Sequence, residues 1–184
     1  MALAQWTNAT EWLAAAAQDP QACKNDWQHG TSGTHLLAAG RFWDVLIVPA
    51  CLGLRVADLL DRIPRLEPGP ALLDERRQHV GFFLPPDPAS TWVGQGTRHV
   101  TRDGWIATPA PHCRWGDLRW LCPPDGSGTL NPPEVMERVL IRAIDDVIRS
   151  HGTGHHRHEL PHRTIHTPQT AVIAPGALPP PQSN

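Results

Sequence analysis

Apolar residues change their spacing several times along the chain, and each change predicts an element. Near the N-terminus, Trp12 and Leu13 lead into four consecutive alanines, preceded by Asn8 with Glu11 three residues on. That capping-box spacing predicts a helix starting at Asn8, with Pro20 just past its end and a loop through His29, Gly30, Ser32 and Gly33. From Phe42 to Val48 the run is apolar and β-branched, as a buried strand requires. Pro49 suits the first turn of a helix. Leu52, Val56, Leu59, Leu60 and Ile63 then recur at helical spacing until Pro64, Pro68, Gly69 and Pro70 end it.

Five short strands are predicted next, at Ala71–Leu73, His79–Leu84, Arg98–Val100, Gly104–Thr108 and Leu118–Leu121, in a region punctuated by Pro and Gly. A last helix follows. Asn131 stands at its cap, Pro132 and Pro133 in its first turn, and Glu134 and Glu137 near the positive end of its dipole. Val135, Val139, Leu140, Ala143, Val147 and Ile148 make one face, which runs out near Ser150. Residues 151–184 hold six of the eleven histidines and a Pro179–Pro181 run, without apolar periodicity, and are expected to be disordered.

These elements make an α+β fold, a small mixed or antiparallel sheet with flanking helices. The expected divisions are an N-terminal helix and loop over 1–39, an α+β domain over 40–150 and a His/Pro-rich tail over 151–184. Composition agrees with one core: 184 residues, 40% hydrophobic and 18% charged. The 20 prolines and the 15 arginines against the single Lys24 suit a high-GC bacterial genome. No run approaches the ~18 apolar residues of a membrane span, and the N-terminal Asn8, Glu11 and Asp19 do not read as a signal peptide. Cys23, Cys51, Cys113 and Cys122 are scattered, as reduced thiols of a cytoplasmic protein would be. A net charge of -2 provides no bulk attraction to nucleic acid, so any such binding needs a local Arg patch.

The residues Gln78-His79-Val80-Gly81-Phe82-Phe83-Leu84-Pro85 resemble a motif of the N-terminal domain of bifunctional DNA primase/polymerases, the prim-pol family. In that motif a Gly-rich or basic turn precedes a His that opens a strand ending in aromatics and Pro. Asp103-Gly104-Trp105-Ile106-Ala107-Thr108-Pro109-Ala110-Pro111 is similar to the family's Gly-Tyr-apolar-apolar-Ala-Pro-Pro strand and turn, and Gly116-Asp117-Leu118-Arg119-Trp120 to the Gly-x-x-Tyr-x-Trp that follows. Trp43 to Leu60 stands where the family carries its Asp-x-Asp strand and helix. The likeness covers about Gly40 to Pro124. The chain also looks like short stand-alone proteins related to this domain, which end in a stretch similar to Pro123–Leu130 and a helix.

The resemblance implies nucleotide polymerisation through carboxylates that hold two Mg²⁺ ions. Acids at i and i+2 of a strand share one face. In Asp44-Val45-Leu46-Ile47-Val48-Pro49, however, Asp44 is followed on its face by Leu46 and Val48. Where the third acid is expected the chain reads Arg98-His99-Val100-Thr101-Arg102. One carboxylate in place of three does not hold two divalent cations. The expectation is therefore a degenerate prim-pol-like domain that binds nucleotide or nucleic acid without polymerase chemistry.

Asp44 and His79 are the residues expected at the former catalytic centre. The resemblance assigns phosphate contact to His79, and Arg76, Arg77, Arg98 and Arg102 join it as guanidinium partners for phosphate oxygens. The ordinary alternative is a polar turn and a solvated strand edge. Among the tryptophans, Trp105 and Trp120 are expected in the core, and Trp115 is the candidate for an exposed aromatic contact with a base. No metal ligand set is assigned: His155, His158, His162 and His166 share a helical spacing that Pro161 interrupts, and His112, Cys113 and Cys122 lack a fourth ligand.

Two other readings stay open. One is an active primase/polymerase with rearranged acids, Asp44 with Asp74 or Glu75, which would need Mg²⁺ or Mn²⁺. The other is a non-enzymatic protein-interaction module. Expected partners are nucleotide or nucleic acid and a replication protein, with no membrane.

Overall fold

The computed structural model describes residues 2–29, 33–86, 92 and 96–152. Internal contacts divide the chain into Met1–Thr153 and Gly154–Asn184, and the described residues all belong to the first unit. The expected disorder of the tail, and its histidines from His155 to His166, lie outside them.

The order of elements is α1 (Ala2–Ala14), α2 (Pro20–Gln28), β1 (His35–Ala38), β2 (Asp44–Pro49), α3 (Ala50–Asp61), β3 (Ala71–Asp74), β4 (His79–Leu84), β5 (Arg98–Val100), β6 (Trp105–Thr108), β7 (Leu118–Cys122) and α4 (Pro133–Gly152). The fold is α+β. Five strands form a sheet in the order β5-β2-β4-β3-β7, and β1 pairs with β6 in a separate ribbon. Every pairing is antiparallel.

Successive strand residues point to opposite faces, and the five-stranded sheet uses both. Leu46, Val48, Leu73, Val80, Phe82 and Leu84 turn to α3 and α4, where they pack with Val56, Leu60, Met136 and Leu140. Val45, Leu72, Phe83 and Trp120 turn the other way, onto Leu13, Cys23, Trp27, Leu37 and Ile106. Phe83 lies between Trp43 and Trp120, with ring centroids 4.7 and 5.5 Å away in tilted geometry. Each such buried side chain contributes on the order of 1.5–3 kcal/mol. Leu13, Cys23, Trp27 and Leu37 all come from the first 39 residues, so that segment shares its core with the strands that follow.

The N-terminal region departs from expectation. Helix α1 starts at Ala2, which places Asn8 inside it, and it ends at Ala14. Ala17 forms a bridge with Leu37, so the alanine run leaves the helix to meet β1. Pro20 opens a second helix, with the Asp19 carboxylate accepting the Ala22 N–H at 2.9 Å. An Asp cap followed by Pro at the first helical position is itself a helix start, one that the apolar period upstream obscured. Strand β1 has four residues, and it takes its register from β6, far along the chain.

Asn131 also acts differently from a cap. It is fully buried, accepts the Gly69 N–H at 3.0 Å, and donates to the carbonyls of Pro70 at 3.2 Å and Phe83 at 3.0 Å. The first turn of α4 closes on the Pro132 carbonyl, which takes the N–H groups of Val135 and Met136. Among the described residues no helix is long and apolar enough to cross a membrane.

Candidate functional site

The alternation that buries Phe83 carries Gly81 and His79 along the same face of β4. Toward the His79 end, β6 and the sheet face enclose a cavity of about 420 Å³. Ile47 and Gly81 line it from the sheet, Trp105 and Ala107 from β6. A Cβ at Gly81 would come within 3.0 Å of Val45 Cγ1, so glycine leaves that part of the cavity open.

Four polar side chains converge there. Asp74 closes β3 and His79 opens β4, and the two are direct cross-strand partners on the cavity face. The turn between them, with Gln78 in the left-handed region at φ 56°, folds Arg77 back. Its N–H donates to Asp74 Oδ1 at 3.0 Å, and its Nε lies 3.7 Å from Asp74 Oδ2. Arg98 enters from β5, which pairs it with Ile47. The cavity thus gathers two guanidinium groups and an imidazole around one carboxylate.

The other predicted residues lie elsewhere. Arg76 Nε is 2.5 Å from Asp117 Oδ2, and this exposed pair ties the turn to the start of β7. A second tie is Arg119 to Glu75 at 2.6 Å, whose hydrogen bond and charge hold the Glu75 carboxyl below its usual range. Arg102 lines a neighbouring cavity with Gly40, Arg41, Asp103 and Trp105. Gly40 is required there: its φ is +89°, and a Cβ would fall 2.3 Å from Arg102 Cα. Trp115 is 70% exposed and does not line the 420 Å³ cavity.

Asp44 is the main correction. It pairs with Leu84, on the face that turns to α3 and α4, whereas His79, Gly81 and Phe83 occupy the opposite face. Its exposure is 0%, and His99 Nε2 lies 3.1 Å from its Oδ2. The His99 ring in turn meets Trp92 edge-on at 5.9 Å. Asp44 and His79, expected together at one catalytic centre, therefore share no site.

Trp105 is a cleft residue missing from the expected set, and Asp74 was expected only beside Asp44 in the rearranged-acid reading. Asp74 was legible as the residue facing His79 across a four-residue turn. Trp105, expected in the core, is 50% exposed because alternation along β6 gives its inward face to Ile106 and Thr108.

A pair of Mg²⁺ ions does not fit this donor set. Divalent magnesium takes carboxylate and water oxygens in octahedral geometry, and Asp74 is the one acid lining the cavity, its oxygens turned to Arg77. No three His, Cys, Asp or Glu side chains among the described residues form a group able to hold a metal ion. Comparison of the chain with models of protein families, with curated proteins and with solved structures returns no match.

Proposed function

We propose that this chain is a degenerate prim-pol-like domain whose cleft binds the phosphates of a nucleotide or nucleic acid and performs no polymerase chemistry. The observation that carries the reading is the convergence of Arg77, His79 and Arg98 on one cavity with Asp74 as its acid. Planar guanidinium groups suit phosphate oxygens, and an imidazole adds a further donor. A volume of about 420 Å³ lies within the range of small-molecule sites. Trp105 supplies an aromatic wall of the kind on which a base stacks.

Polymerisation would require acids to hold metal ions over the attacking and leaving oxygens. Asp74 faces Arg77, and Asp44 is buried on the other side of the sheet. That arrangement supports the reading of binding without phosphoryl transfer.

Filter binding of labelled dNTPs and of primer-template at low salt tests the reading. The expected result is measurable affinity for at least one of them, falling roughly tenfold in Arg77→Gln, as loss of a charge-assisted contact predicts. Absence of affinity for either ligand overturns it. Primer extension with Mg²⁺ or Mn²⁺ is expected to give no product. Extension that Asp74→Asn abolishes would establish a polymerase with rearranged acids instead.

A further inference from the structure

The cavity has a second polar surface, made of main chain. In an antiparallel pair, residues alternate between turning both N–H and C=O to the partner strand and turning both away. The Ala39 N–H donates to the Gly104 carbonyl at 2.9 Å, and the same register continues through Leu37 with Ile106 and His35 with Thr108. The Ala38 N–H, by contrast, donates to the Ala16 carbonyl at 2.9 Å, away from β6. Trp105, opposite Ala38, and Ala107, opposite Leu36, therefore turn their N–H and C=O groups away from β1. No strand among the described residues pairs with that side of β6, and both residues line the 420 Å³ cavity.

We propose that this open edge of β6 reads the hydrogen-bonding edge of a nucleobase whose phosphates lie at Arg77, His79 and Arg98. The inference rests on the nucleotide reading above and adds what selects the ligand beyond its phosphates. A base presents a donor beside an acceptor in one plane. The N–H and C=O of Ala107 present the complementary pair, held in place by the Leu37–Ile106 and His35–Thr108 pairings on either side. Because the recognition is main chain, its specificity does not depend on any side chain of β6.

Amide hydrogen exchange followed by NMR, with inorganic triphosphate and each of the four dNTPs as probes, tests it. In the free protein the Trp105 and Ala107 amides are expected to exchange fast and the Ile106 amide slowly. A dNTP that binds at least tenfold tighter than triphosphate is expected to slow the Ala107 amide, while triphosphate leaves it fast. Ala107→Pro removes the donor at a position where edge strands tolerate proline. It is expected to reduce that dNTP to within about threefold of triphosphate, with triphosphate affinity unchanged. Triphosphate binding as tightly as every dNTP, or a dNTP that leaves the Ala107 amide fast, overturns the proposal and leaves the phosphate site standing. Failure of triphosphate and dNTPs alike to bind removes both.

Discussion

Asp44 and His79 open neighbouring strands of one sheet, yet their side chains leave it on opposite faces and from opposite ends. Asp44 pairs with Leu84 and His79 with Pro49, five residue steps along the ladder, which at ~3.3–3.4 Å per residue is about 17 Å. That separation divides the chain's polar residues into one that supports the fold and a group that can meet a ligand.

Replacing Asp44 is therefore expected to cost stability and leave binding intact. Asp44→Ala removes a fully buried carboxylate 3.1 Å from His99 Nε2, a change of about 2–4 kcal/mol. Urea denaturation measures the loss, and nucleotide titration of the folded protein checks that affinity stays within twofold. A tenfold fall in affinity at unchanged stability would return Asp44 to the site.

The adjacent arginines of the β3–β4 turn should behave differently. Arg77 faces the cavity and Arg76 is paired with Asp117 outside it. Arg77→Gln is expected to weaken phosphate-ligand binding about tenfold and to flatten its salt dependence. Arg76→Gln should change affinity less than twofold, because it removes an exposed pair. Equal losses would mean that only overall charge matters.

Asn131 joins main-chain groups of the adjacent Gly69 and Pro70 to that of Phe83, all of them distant from it in sequence. Asn131→Leu keeps the branched shape but leaves the Gly69 N–H and the Pro70 carbonyl without this partner in a buried place. The expected cost is about 2–4 kcal/mol, read from a shift in the denaturation midpoint at constant slope. A shift within experimental error would show that water replaces the amide.

The cysteines should separate cleanly by reactivity. Burial, aided by the Asp26 charge, pushes the Cys23 thiol up to about 11, and burial also raises Cys122, whereas Cys51 is exposed on α3. Since the thiolate is the reacting species, a disulfide reagent at pH 8 should label Cys51 first and Cys23 only on unfolding. Mass mapping of the labelled peptides decides it.

One ion pair gives a pH signature. Arg55 bonds Asp146 across α3 and α4, and that hydrogen bond and charge hold the Asp146 carboxyl below its usual range. A carboxyl depressed in the folded state adds stability at neutral pH that is lost as pH falls through its folded value. Arg55→Gln should therefore lower stability at pH 7 and have little effect at the acid end. Parallel pH–stability curves for the two proteins would disprove the coupling.

Much of this fold was legible in local pattern. The short segments His79–Leu84 and Arg98–Val100 are strands over the residues expected, and the helical spacing after Pro49 and after Asn131 marks α3 and α4. Such elements are set by side chains a few residues apart, which is what period and capping chemistry report.

What only the tertiary structure decided depends on pairing between distant segments. Sequence makes Asp44 a lone acid on a strand, but the register of β2 against β4 is what turns it from His79. Arg76 and Arg77 are chemically equal neighbours until Asp117, 41 residues on from Arg76, takes one of them. Trp105 reads as another buried aromatic, and its half-exposure follows from the placing of β6 against β1, which turns Ile106 and Thr108 inward instead. Asn131 looks like a cap until Gly69, Pro70 and Phe83 claim its amide. Local propensity carries no information on such long-range contacts, because their geometry is set when the sheet closes.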